Sequence, residues 1–168
     1  RNAHGAAWFY RGPHPRPIMI ATDEILGHLS WIAEAMYRET GVSYHDRVAR
    51  AAGLIIAVDV IAHGALPAVW IDSIQASSGD WFNDSVRAGD YARGCRELCE
   101  EIGVALPAGE SGAMRYLVRP EPPVEDAAVF SGAMIGYVAP HTRLIIGERS
   151  PGCHILGVPS SGLHANGP

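Results

Sequence analysis

The chain has 168 residues, 48% of them hydrophobic, with 13 basic and 18 acidic residues and a formal charge of −5. That length fits one domain able to bury roughly 70% of its unfolded surface. The acidic balance argues against a nucleic-acid binder, whose usual footprint is a basic patch.

All 13 basic residues are arginine, so no lysine is on hand to meet a phosphate. Cys95, Cys99 and Cys153 are an odd set without a Cys-x-x-Cys. A disulfide framework is therefore not expected, and a reducing, cytoplasmic setting is. No signal peptide is apparent, and the sequence opens on Arg1 rather than Met, so residues are expected upstream. The longest apolar run, Leu54 to Ala62, contains Asp59 and is too short to cross a bilayer.

Residues 1–16 carry Gly5, Gly12, Pro13, Pro15 and three aromatics, and read as an irregular amino-terminal arm. Pro17 to Thr22 is an apolar run of strand length. Thr22 or Asp23 then caps a first helix, on which Ile25, Leu29, Ile32 and Met36 recur at helical spacing. Glu34 and Arg38 read as an exposed i,i+4 pair, and Gly41 ends the helix. A second helix, from about His45 to His63, is apolar nearly all round from Ala51 to Ala62 and should be buried.

Ala68 to Gln75 is the next strand, and Ser77-Ser78-Gly79-Asp80 a loop. A third helix, Asn83 to Ile102, has an apolar face of Tyr91, Cys95, Leu98, Cys99 and Ile102 and is closed by Gly103. The i,i+4 pair Cys95 and Cys99 reads as core packing. A short strand starts at Val104 to Leu106, Pro120 to Pro123 turns, Ala127 to Val138 is a longer strand, and Cys153 to Val158 is the last one. Strands and helices interleave, which gives an α/β or α+β class.

Asp59 stands inside Leu-Ile-Ile-Ala-Val-Asp-Val-Ile-Ala. A carboxylate on a buried helix must be paired, hydrogen-bonded, protonated or metal-bound. His63 follows one turn later. Asp23 ends the first strand and Asp72 lies within the second; each fits a ligand contact near strand ends, or a cap or turn bond. Glu110 follows Pro107-Ala108-Gly109, where Gly109 lets the backbone come close to a ligand, or simply turns the surface. Three Asp and one Glu from separate segments suit Mg²⁺ bridging ATP phosphates and do not suit zinc, which wants Cys or His at short spacings.

These points fall in the order of a known pattern. His4-Gly5-Ala6-Ala7-Trp8-Phe9 is similar to the Gly-rich segment of the amino-terminal arm of AIR synthase, the phosphoribosylformylglycinamidine cyclo-ligase family. Ala21-Thr22-Asp23 resembles the family's Thr-Asp-Gly. Val58-Asp59 with His63-Gly64-Ala65-Leu66-Pro67 resembles Asn-Asp…Gln-Gly-Ala-x-Pro, Ile71-Asp72 resembles Leu-Asp, and Ala108-Gly109-Glu110-Ser111 resembles Gly-Gly-Glu-Thr. Ser160-Ser161-Gly162-Leu163-His164-Ala165-Asn166-Gly167 resembles the Ser-Ser-Gly-x-His-x-Asn-Gly junction. The family loop after Asp23 is Gly-rich and ends in Lys; here it reads Glu24-Ile25-Leu26-Gly27-His28-Leu29.

The resemblance implies an amino-terminal domain over residues 17–159, with 160–168 starting the junction to a carboxy-terminal domain. It implies a mixed four-stranded sheet with helices on one face, pairing across a homodimer into a β-barrel. It also implies ATP and Mg²⁺, and a reaction that activates the formyl oxygen of formylglycinamidine ribonucleotide with ATP and closes the imidazole ring. Asp23, Asp59, Asp72 and Glu110 would hold metal and nucleotide, with Gly109, Ser160, Ser161, Gly162 and Asn166 at the nucleotide and Asp23, Asp59 and His164 at the chemistry. No nucleic-acid or membrane partner is implied. Two other readings stay open: a non-catalytic domain of this fold kept for dimerisation or as a partner subunit, and a sister ATP-dependent kinase.

Overall fold

The computed structural model describes residues 8–11, 17–147 and 150–159. Its strands are β1 (Trp8–Arg11), β2 (Ile18–Leu26), β3 (Leu66–Ala76), β4 (Ala105–Ala113) and β5 (Ala128–Val138). Its helices are α1 (Leu29–Thr40), α2 (His45–Ala62), α3 (Asp80–Asn83) and α4 (Ser85–Ile102). The sheet order is β1-β2-β5-β3-β4. Only the β3–β4 pair is parallel; the other pairings are antiparallel. Consequently β2, β3 and β4 run the same way, and their carboxyl ends lie at one end of the sheet.

Four strands form the body of the sheet, as the resemblance implies, and the short β1 extends it within what reads from sequence as an irregular arm. Helices cover one face. The strands alternate accordingly: Ile20, Thr22 and Leu26 of β2, Trp70 and Asp72 of β3, and Phe130 and Met134 of β5 are buried beneath α2 and α4. Ile25, Ile71 and Tyr137 lie on the other face and are exposed.

Two glycines of β5 let α2 settle onto the sheet. A Cβ on Gly136 would lie 2.4 Å from Val60 Cγ1, and one on Gly132 would lie 3.3 Å from Ile56 Cδ1. Ile56 and Val60 are one turn apart on α2, so the helix rests in the groove that the two glycines leave. At the other end of the helical layer, Asp84 caps α4 by accepting from the backbone N–H of Val86 (3.1 Å) and Arg87 (3.0 Å). Gly103, at φ 70°, closes that helix in the left-handed conformation.

Several sequence expectations are corrected here. Asp23 is not a helix cap: β2 continues through it to Leu26, because β5 offers a continuous ladder that ends at Leu26↔Phe130. α1 begins only at Leu29, with His28 at its N-cap making no side-chain bond. Ile25 therefore belongs to the strand. α2 is not buried all round, since Leu54, Val58 and Ile61 form an exposed apolar row on its outer side.

Glu34 is not in an exposed pair with Arg38. It is 4% exposed, and Arg38 instead meets Glu125 at 3.5 Å. Spacing of i,i+4 brings two side chains together but does not say which way that side of the helix faces. Residues 150–159 form no strand; Ile155, Leu156 and Val158 stand fully in solvent, because neither sheet edge, β1 or β4, pairs with them. Among the described residues no helix is long and apolar enough to cross a membrane.

Candidate functional site

The sheet register sorts the acidic residues onto two faces. Glu24, Gly132, Asp72 and Gly109 form one row across β2, β5, β3 and β4 on the helix-covered side. Asp23 starts the next row, Asp23–Ala133–Ile71–Ala108, on the open side. Glu110 lies in the row Ile25–Ser131–Ser73–Glu110, also on the open side.

Asp23 and Glu110 thus share a face but are three strand spacings apart, roughly 14 Å. Glu110 Oε1 accepts from its neighbour's Ser111 N–H at 3.1 Å. Asp23 and Asp59 are separated by the sheet itself.

Asp72 is 8% exposed and accepts a hydrogen bond from Tyr91 Oη at 3.0 Å. Burial pushes its carboxyl above the usual aspartate range, and the bonds from Tyr91 and the Ser73 N–H only partly offset that. In turn, burial and then Asp72 push the Tyr91 hydroxyl far up. Burial, again reinforced by Asp72, pushes the Cys95 thiol up to about 12. This is an inert, buried group of acids. Gly109 serves it as well: a Cβ there would lie 3.2 Å from the Asp72 carbonyl oxygen, so the close approach that Gly109 permits is that of β4 to β3.

Asp59 reaches the sheet at Glu24. Burial, then the Asp59 charge and a hydrogen bond to Asp59, hold the Glu24 carboxyl above the usual glutamate range. Two carboxylates in contact repel one another, and a cation between them would relieve that repulsion. His63 Nδ1 lies 2.9 Å from the Asp59 carbonyl oxygen, which makes it a helix-end contact of the backbone.

The structure therefore brings Asp59 together with Glu24, sets Asp72 on the same side, and leaves Asp23 and Glu110 on the opposite face. Glu24 was not among the expected site residues; the signal that could have found it is the strand alternation, which turns Glu24 to the helix side once β2 extends past Asp23. Ser160, Ser161, Gly162, His164 and Asn166 lie outside the described residues, as do His4 to Ala7. Among the described residues no group of three His, Cys, Asp or Glu side chains is placed to hold a metal ion.

No family model matches the chain. Curated relatives do match it. The phosphoribosylformylglycinamidine cyclo-ligase of Lactobacillus acidophilus is 30% identical over 154 residues, 92% of this chain and 40% of the relative. That of Limosilactobacillus fermentum is 28% identical over 151 residues, 90% of this chain and 39% of the relative. The chain is homologous to the AIR synthases. It spans about 40% of the length of the curated AIR synthases it matches.

The fold agrees. The structure of AaThiL complexed with AMPPCP and TMP superposes with a TM-score of 0.60 at 15% identity, over 79% of this chain and 36% of that one. β2 runs unbroken through Glu24, Ile25 and Leu26.

Proposed function

We propose that the protein to which this chain belongs is an ATP-dependent ligase of purine biosynthesis that closes the imidazole ring of aminoimidazole ribonucleotide from formylglycinamidine ribonucleotide. The observation that carries this reading is the similarity to cyclo-ligases over 90–92% of the chain at 28–30% identity. A nucleotide analogue bound to AaThiL, a protein of the same fold, supports ATP as co-substrate.

The donor set fits a hard divalent cation. Glu24 and Asp59 are oxygen donors in contact, and burial and then the Asp59 charge hold Glu24 above its usual range. Asp59 and Glu24 would hold Mg²⁺, joined by Asp23, Asp72 and Glu110 only through movement or a second copy of the chain. When bound, the ion supplies charge neutralisation at the phosphates. In phosphoryl transfer such positioning and neutralisation make up most of the catalysis. By the family resemblance, Ser160, Ser161, Gly162, His164 and Asn166 would meet the phosphates and substrate. With no lysine present, arginines and backbone N–H groups meet the anionic oxygens.

A homodimer follows from the same reading. The open face of the sheet carries exposed Ile25, Ile71 and Tyr137, and pairing it with a second copy would cover that apolar surface and bring the partner's acidic residues near.

A second reading, a non-catalytic domain of this fold, is favoured by one observation: a strand occupies the place of the phosphate loop, with Glu24 adding negative charge there. Calorimetry of Mg-ATP with the full-length protein separates the two. Heat of binding in the wild type that disappears in Asp59→Ala supports the ligase. An absence of heat in the wild type rejects it in favour of the non-catalytic domain.

A further inference from the structure

A cavity of about 200 Å³ lies between α1, the first turn of α4 and the segment that leads into β5. Tyr37, Arg38, Arg87, Val124, Glu125 and Asp126 line it, and Glu34 borders it.

Most polar atoms around this cavity are already paired. The two Glu34 oxygens accept from His45, Trp81 and Arg87. Tyr37 Oη donates to Asp84 at 3.4 Å. Asp126 Oδ1 accepts from the hydroxyls of Ser77 and Ser78. Arg87 Nη1 donates to Glu34 at 3.1 Å and Nη2 to Asp84 at 3.4 Å.

Two buried atoms are left over. Arg87 Nε–H and Asp126 Oδ2 have no hydrogen-bond partner among the described residues, although the Arg87 side chain is only 10% exposed. Such atoms are costly to leave unmatched. Neither side chain is free to turn away, because its remaining atoms are tied down. The cavity wall thus presents one fixed donor and one fixed acceptor. A carboxamide is their complement, since its carbonyl accepts and its NH₂ donates. A carboxylate would suit Arg87 but be repelled by Asp126, and an ammonium the reverse.

The outer end carries a second pair of opposite charges. Arg38 Nη2 and Glu125 Oε1 lie 3.5 Å apart, with side chains 51% and 86% exposed. An ion pair so exposed is weak, and it opens at little cost to meet a carboxylate and an ammonium. Between the two ends, Val124 and the Tyr37 ring offer an apolar wall to a short methylene chain. An α-amino acid with an amide side chain carries these groups in that order.

We propose that this cavity binds a free amino acid with a carboxamide side chain, asparagine or glutamine. The amide lies against Arg87 Nε and Asp126 Oδ2, and the α-carboxylate and α-ammonium lie at Arg38 and Glu125. The site shares no residue with the Glu24–Asp59 pair and does not depend on the ring-closure reading.

The test is titration calorimetry of the full-length protein with L-asparagine and L-glutamine, each against its isosteric acid, L-aspartate or L-glutamate. One amide should bind saturably and its acid at least about tenfold more weakly, because the acid lacks the donor that Asp126 needs. The exposed variants R38Q and E125Q should each weaken the amide by about threefold or more while melting as the wild type does. Preference for asparagine or for glutamine identifies which of the two the cavity takes. Binding of neither amide, equal affinity for amide and acid, or unchanged affinity in both variants overturns the proposal.

Discussion

Two carboxylates of this chain meet opposite fates. Glu34 is buried, and its oxygens are matched by donors: His45 Nε2 at 2.9 Å and Trp81 Nε1 at 2.7 Å on Oε1, and Arg87 Nη1 at 3.1 Å on Oε2. Arg87 also meets Asp84 at 3.4 Å and Asp126 at 3.5 Å, and it lies over the Trp81 ring at 5.6 Å. Glu24, half-buried, has a second carboxyl, that of Asp59, for a neighbour. The Glu34 carboxylate is satisfied within the chain and ties α1, α2 and α4 together. The second is incomplete, and incompleteness at a polar site is the mark of a place where something else is to bind.

Removing Glu34 should produce the largest effect. Glu34→Ala leaves Arg87 and His45 without their shared buried partner, and the urea midpoint should fall by the equivalent of about 3–5 kcal/mol. A loss under about 1 kcal/mol would show that the network is not closed as described.

Asp72 stands between the two cases, hydrogen-bonded but unpaired. Because its folded carboxyl holds a proton more tightly than the ordinary value of 3.8, its contribution to stability is complete below that value and is lost as pH rises through the higher, folded value. Asp72→Asn should therefore match or exceed the wild type at pH 7 by an amount on the order of 1 kcal/mol, with the gap closing towards pH 3. Thermal melts across that range check the sign.

Glu24→Gln should act in the same direction but more weakly, by about a few tenths of a kcal/mol, because solvent screens the pair. It should also abolish any rise in melting temperature that Mg²⁺ gives the wild type. The smallest effect belongs to Arg93, whose contacts with Asp46 and Asp90 lie on the surface. Arg93→Ala should leave the urea midpoint close to that of the wild type, which sets the scale for an exposed ion pair against the buried one.

The helices of this chain are legible because their signals are local. Gly41 and Gly103 end α1 and α4 as read, and the apolar face of α4, with Tyr91, Cys95 and Leu98, packs inward. The central strands are legible as apolar runs, and the order of acidic motifs is enough to place the chain beside the AIR synthases.

What the order of motifs does not contain is direction. Whether Asp23 faces the helices or the open side depends on β2 extending to Leu26, and that extension is decided by the ladder β5 provides rather than by the Thr-Asp pair itself. The same holds for Glu34, which looks like half of a surface pair until Trp81 and Arg87 arrive from residues 47 and 53 positions away.

By itself the sequence determined the element types, most of their ends and the kinship, because capping, periodicity and motif spacing are set by neighbouring residues. Only the tertiary structure decided which carboxylates stand together and which are satisfied, because the partners that neutralise or crowd a charge come from distant segments, through pairing registers that no local pattern records.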